Sequence, residues 1–141
     1  MKKALLWILV GAFAGYLIFF VVPNYLHQPL EPRSQARLSQ VAAEINRSVG
    51  VMIDRETELL PAEGHEGMLI YKYRLVSFEV AKIDHAKFAA GAKPRLTQRA
   101  CSEPDMRDDY LKQGVTLRYS YFDKDKQHIA TVDVTPADCG F

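Results

Sequence analysis

Residues 4 to 22, ALLWILVGAFAGYLIFFVV, run for nineteen positions without a charge, and no other feature constrains the chain so strongly. Coiled as a helix, this run is about 28 Å long, enough to cross a hydrocarbon core of about 30 Å. Lys2 and Lys3 precede it, which by the positive-inside tendency leaves the N-terminus in the cytoplasm and carries the rest across. Trp7 and Tyr25 stand near its two ends, where amphipathic rings favour the interface. The reading is a single-pass transmembrane signal anchor over residues 1–22, with the body extracytoplasmic. A cleaved signal peptide competes with it, because Ala12-Phe13-Ala14 has the A-x-A form of a cleavage site. Cutting there would leave GYLIFFVV at the new terminus, an apolar tail that water tolerates poorly. Gly11 and Gly15 stand in a G-x-x-x-G spacing through which two such helices could approach as a weak homodimer, although membrane helices are rich in glycine anyway.

The whole chain has 141 residues, room for one folded body of ordinary size. With Lys2 and Lys3 set aside, 16 basic residues face 17 acidic ones. That balance argues against nucleic acid as a partner, since phosphate binding needs a surplus of Lys and Arg gathered on one face. Both cysteines, Cys101 and Cys139, fall on the translocated side, where an oxidising compartment lets a disulfide persist. Pairing them would add on the order of 3 to 4 kcal/mol by the loop-closure model and pin PADCGF to a helix end.

Pro23, Pro29 and Pro32 mark residues 23–33 as a semi-rigid stalk, and the body follows over 34–141. Leu38, Val41, Ala42, Ile45 and Val49 trace one apolar helical stripe, with Ser34 as N-cap and Gly50 as stop. A strand from about Asp54 to Glu63, a turn at Gly64-His65-Glu66-Gly67 with glycines at both edges, and a second strand make a hairpin. From Asp84 a helical region follows, interrupted by a kink or break over Gly91 to Pro94 and resuming to about Cys101. Ser102-Glu103-Pro104-Asp105 caps a short helix ending at Gly114. Strands Val115 to Phe122 and His128 to Thr135 then form a second hairpin. The expected fold is α+β: an α-ββ-α-ββ domain with a four-stranded antiparallel sheet and helices packed on one face.

The two hairpins share a motif. LIYKYRL at 69–75 and LRYSYFD at 117–123 both carry L-x-Y-x-Y. Tyr71, Tyr73, Tyr119 and Tyr121 fall on the side of their strands away from the charges, either as packing under the helices or as an aromatic binding face with Arg74 and Arg118 as polar neighbours. Other chemistry is thinly represented. His27, His65, His85 and His128 are dispersed, with no H-x-x-x-H and no C-x-x-C, so neither a metal nor a cofactor is expected. No G-x-S-x-G occurs. Asp105, Asp108 and Asp109 read as a solvated helix face, and Asp123-Lys124-Asp125 lacks the glycine and distal glutamate of a calcium loop.

Longer blocks carry a resemblance. I-N-R-x-x-x-x-M-I-D-x-x-T-x-L at Ile45 to Leu59, G-x-L-x-Y-x-Y at Gly67 to Tyr73, and C-S-x-P-x-x-R at Cys101 to Arg107 are followed by G-V-T-L-x-Y-x-Y-x-D at Gly114 to Asp123 and D-V-T-P-A-D-C at Asp133 to Cys139. The chain resembles a group of small exported bacterial proteins, the quorum-sensing-regulated virulence factor family. The resemblance spans almost the whole body and implies an exported α+β domain without an assigned enzyme activity. The strong anchor and the Gly91 to Pro94 segment depart from it. With the bacterial setting that the resemblance implies, the leading expectation is a non-enzymatic periplasmic domain, anchored by its single span in the inner membrane with the N-terminus cytoplasmic, that binds a protein partner or an envelope component. An envelope hydrolase or isomerase with a site assembled from dispersed Tyr, His and Asp is the alternative, and a structural subunit of an envelope assembly is a third.

Overall fold

The computed structural model describes residues 30–141. The 4–22 run, the Gly11 and Gly15 pair and most of the 23–33 stalk lie outside the described residues, and among those described no helix is long and apolar enough to cross a membrane. Helix α1 (Gln35–Ile45) starts as its sequence predicts, with the Ser34 hydroxyl accepting from Arg37 N at 3.2 Å, and closes through a short 3-10 turn. Gly50 follows at φ +84°, the left-handed conformation that suits glycine. Strands β1 (Thr57–His65) and β2 (Met68–Leu75) form the first hairpin, and β3 (Thr116–Phe122) and β4 (His128–Val134) the second. Between them lie α2 (His85–Ser102) and α3 (Pro104–Asp109).

The sheet runs β1-β2-β3-β4, with antiparallel hairpins joined by a parallel β2–β3 pair. It is therefore mixed, and the all-antiparallel expectation is corrected. The cause is α2. Its 18 residues form one helix, where a kink or two short helices were expected, and span about 27 Å, the length of an eight-residue strand. The helix thus carries the chain back to the end of the sheet where β2 began. A strand that starts there runs parallel to β2.

Pro94 is accommodated inside α2 because the carbonyl its missing N–H leaves free, that of Ala90, lies on an exposed stretch of the helix open to water; on the neighbouring turn Arg95 Nε donates to the Gly91 carbonyl at 3.2 Å. Two turn readings also change. Gly64 lies within β1 and the tight turn is Glu66-Gly67, while α3 is capped at Glu103, with Pro104 at its first turn, instead of at Ser102. The short helix stops at Asp109, and a 3-10 turn completes the path to Gly114.

Both helices cover the same face of the sheet. Leu38 and Ala42 of α1 and Ala100 of α2 share a buried cluster with Leu69, Leu117, Tyr119 and Val134. A smaller cluster of Leu75, Ile129 and Ala130 packs with Phe88 near the other end. The opposite face is polar: Glu63 pairs with Lys72, Glu58 with Arg74, and Asp133 with Arg118. Cys101, at the end of α2, is bonded to Cys139, with Cα atoms 5.5 Å apart.

Candidate functional site

The parallel pairing brings the two L-x-Y-x-Y copies into register: Leu69 opposes Leu117, Tyr71 opposes Tyr119, and Tyr73 opposes Tyr121. Four rings consequently gather on the central strands. Tyr71 and Tyr119 stack at 5.4 Å between centroids, Tyr71 and Tyr73 at 6.4 Å, and Tyr73 and Tyr119 at 6.5 Å, all within 13° of parallel. Tyr121 tilts against Tyr73 at 5.6 Å and takes the edge of Phe88 at 5.1 Å. Offset stacking of this kind adds to the area buried.

Helix α1 packs on β1 and α2 on β4, so the rings themselves fill much of the space above the central pair. Tyr119 is 3% exposed, and Tyr71, Tyr73 and Tyr121 are half-buried. A cleft of about 230 Å³ opens over them. Its floor is Tyr73, Tyr119 and Tyr121, one wall is Leu96 and Arg99 of α2 with Met106 of α3, and the other is Ile53, Asp54 and Thr57. Burial raises the Tyr73 hydroxyl to about 12, with Tyr121 adding to the effect and Arg99 opposing it. Burial likewise pushes Tyr71, Tyr119 and Tyr121 up. Phenols so held are poor acids at neutral pH. The Tyr119 hydroxyl points at Met106 Sδ, 3.8 Å away, and Arg99 is joined to Glu103 at 2.8 Å. The arrangement suits recognition of an apolar or aromatic group better than proton transfer. Among the described residues no three His, Cys, Asp or Glu side chains converge as a metal site.

Arg74 and Arg118 lie apart from the tyrosines, on the polar face. Arg118 forks onto both Asp133 oxygens at 2.7 Å, and Arg74 pairs with Glu58 and donates to Lys124 O at 3.3 Å. The period-two pattern had already put Arg74 across the strand from the tyrosines, and the ion pairs show what engages it there. Missing from the sequence reading were the cleft walls: Ile53, Asp54, Thr57, Leu96, Arg99 and Met106. A signal existed for one wall. VGVMID places four large apolar residues around Gly50 just before Arg55, and Val49, Val51, Met52 and Ile53 are all exposed. The loop is held by its backbone, Gly50 N on Leu59 O at 2.9 Å, Leu59 N on Val51 O at 3.0 Å and Ile53 N on Thr57 O at 2.8 Å, so its apolar side chains are presented outward.

At the far end of β3, Asp123 is 2% exposed. Burial would raise its carboxyl, but backbone N–H groups of Val80, Gln127 and Asp125 donate to it and hold it below the ordinary range. It ties the β3–β4 turn to the segment leading into α2.

No protein-family model matches the chain, and no curated protein does, so the virulence-factor resemblance stands on its motifs alone. Solved structures do match in fold. The fold is one that type II secretion pilotins share. A pilotin from the Vibrio vulnificus type 2 secretion system aligns with a TM-score of 0.61 at 13% identity, over 79% of this chain and 96% of that one. The Vibrio cholerae type II secretion pilotin gives 0.55 at 14%, over 74% and 91%. A Pseudomonas aeruginosa protein described as a candidate for secretion gives 0.64 at 20%, over 74% and 91%. At these identities the likeness is one of fold.

Proposed function

We propose that this chain is a non-enzymatic interaction domain of the bacterial envelope, displayed in the periplasm by an anchor over residues 1–22, which engages a protein partner through the tyrosine-floored cleft and its apolar rim. The observation that carries the reading is the juxtaposition of that cleft with the outward-facing side chains of Val51, Met52 and Ile53, an apolar rim that the domain's own packing leaves open. Exposed apolar groups beside a concave aromatic floor are the usual mark of a recognition surface. The disulfide fits an oxidising compartment, and the same fold serves type II secretion systems in two Vibrio species.

The chain enters the domain at the opposite end. Arg33 O accepts from Gly67 N at 2.8 Å, at the turn that starts β2, whereas the apolar loop pairs with the start of β1 near the end of β2. A strand length of about 26 Å separates those ends. Photocrosslinking tests this in cells. A reactive residue at Met52 or Ile53 of the full-length chain is expected to give one reproducible adduct, and the same residue at Thr131 on the polar face none. Equal adducts from both faces, or none from the rim, would end the proposal.

A further inference from the structure

The two edges of the sheet are closed in different ways. Along β1 the outward backbone groups are met from within the chain. The Gly50–Ile53 loop takes Thr57 O and both groups of Leu59, the Asn46 amide takes Ala62 N and O, and the Ser39 hydroxyl donates to Gly64 O at 3.3 Å. Among the described residues β4 has no such neighbour, and its one ladder is with β3. An edge of this kind is a template for another strand.

Helix α2 supplies side chains where β4 lacks a ladder. Lys93 Nζ donates to Asp133 O at 2.6 Å, and His85 Nδ1 donates to Ile129 O, a carbonyl that only accepts and so places a proton on that nitrogen. The spacings match. From His85 to Lys93 the helix advances about 12 Å, and from Ile129 to Asp133 the strand advances about 13 Å. Helix and strand run the same way, so the two side chains reach the carbonyls on either side of Thr131. Lys93 is itself held by Asp138 at 2.6 Å, in a turn whose last residue, Cys139, is bonded to Cys101. Thr131 lies exposed between these caps. Period two turns its N–H and C=O the same way as Asp133 O, out of the sheet, and no group outside the β3–β4 ladder meets them among the described residues.

The rest of the sheet decides what such an edge could take. A second β4 approaching antiparallel about Thr131 would exchange bonds between the two Thr131 residues and would then need Ile129 O and Asp133 O for the flanking bonds. Both are occupied. Pairing β4 with the β1 of another copy would propagate into a fibre, but β1 is already satisfied, so the combination left to this sheet is the closed, twofold β4–β4 pair. We propose that β4 is a latent self-association edge, centred on Thr131, and that His85 and Lys93 hold it shut against a second copy of this chain.

Sedimentation of the full-length chain in detergent micelles tests this. The native chain is expected to show no association that depends on β4. His85→Ala with Lys93→Ala should self-associate at least about tenfold more tightly, and adding Thr131→Pro, which removes an outward N–H that the monomer does not use, should abolish the gain. Any pairing through residues 1–22 is common to all these proteins and cancels. His85→Gln with Lys93→Arg keeps a donor at each position and should behave as the native chain does. If the alanine pair melts too low to handle, each single alanine is read in the same way, with a smaller gain expected. An alanine variant that associates no more than the native chain, a gain that survives Thr131→Pro, or a native chain whose own association falls with Thr131→Pro would each overturn the proposal.

Discussion

Gly64 shows how a single residue sets the spacing of two layers. A Cβ built there would lie 2.1 Å from the Leu38 carbonyl carbon and 2.4 Å from Ser39 N, both backbone atoms of α1 that no rotamer change can move. The glycine therefore serves the close approach of helix to strand, while the turn beside it relies on Gly67 at φ +70°. Gly64→Ala should lower stability by about 1–3 kcal/mol or more through overpacking, read as an earlier urea midpoint with an unchanged slope. Asn46 works beside it. Its amide accepts from Ala62 N at 2.6 Å and donates to Ala62 O at 3.1 Å, filling the strand-edge positions where β1 bulges around Pro61. A proline has no N–H to offer a ladder, so it fits this edge. Neither role was visible in the sequence, because a glycine beside a turn reads as part of it and an asparagine after a helix reads as a helix end.

At the scale of elements, α2 is the decisive piece. A proline at an exposed helical position is disfavoured relative to alanine by about 3 kcal/mol in a regular helix, and here the exposed Ala90 carbonyl that it leaves free can turn to water. Pro94→Ala should therefore raise the melting temperature, corresponding to about 1–3 kcal/mol; a fall would mean that the local bend is required for packing on β4. The disulfide fastens the end of the same helix. Cys101 and Cys139 are 38 positions apart, and opening that loop removes about 4 kcal/mol by the chain-entropy model. Cys101→Ser with Cys139→Ser should lower the melting temperature, and hydrogen exchange should show the 3-10 turn Pro136–Cys139 opening first. That turn keeps its own capping box between Thr135 and Asp138, and Lys93 reaches Asp138 at 2.6 Å, so it is weakened and not abolished. The existence and order of these elements were legible from apolar periodicity and caps. The continuity of α2 was not, since it depends on whether the carbonyl that Pro94 leaves free faces water once the helix has docked.

For the molecule as a whole, the tyrosine cluster couples fold to pH. Burial raises Tyr73 to about 12 and lifts its three neighbours as well, whereas a tyrosine in the unfolded chain ionises near about 10. Between those values the unfolded state loses protons first, so stability is retained below about pH 10 and falls as pH rises toward 12. Tyrosinate absorbance should accordingly lag behind that of the denatured chain and then appear together with unfolding; titration of all four near pH 10 in the native state would contradict their burial. The sequence by itself determined that an apolar, tyrosine-bearing face recurs in two hairpins, that helices accompany it, and that two cysteines are available to close the domain, because side-chain periodicity and composition are local properties of the chain. Only the tertiary structure decided that the two faces lie side by side in parallel register, that Arg74 and Arg118 spend their charge on neighbouring strands, and that a groove runs between α2 and the Val51–Ile53 loop. Those outcomes depend on where an 18-residue helix returns the chain, a matter of three-dimensional length and direction that no local pattern encodes.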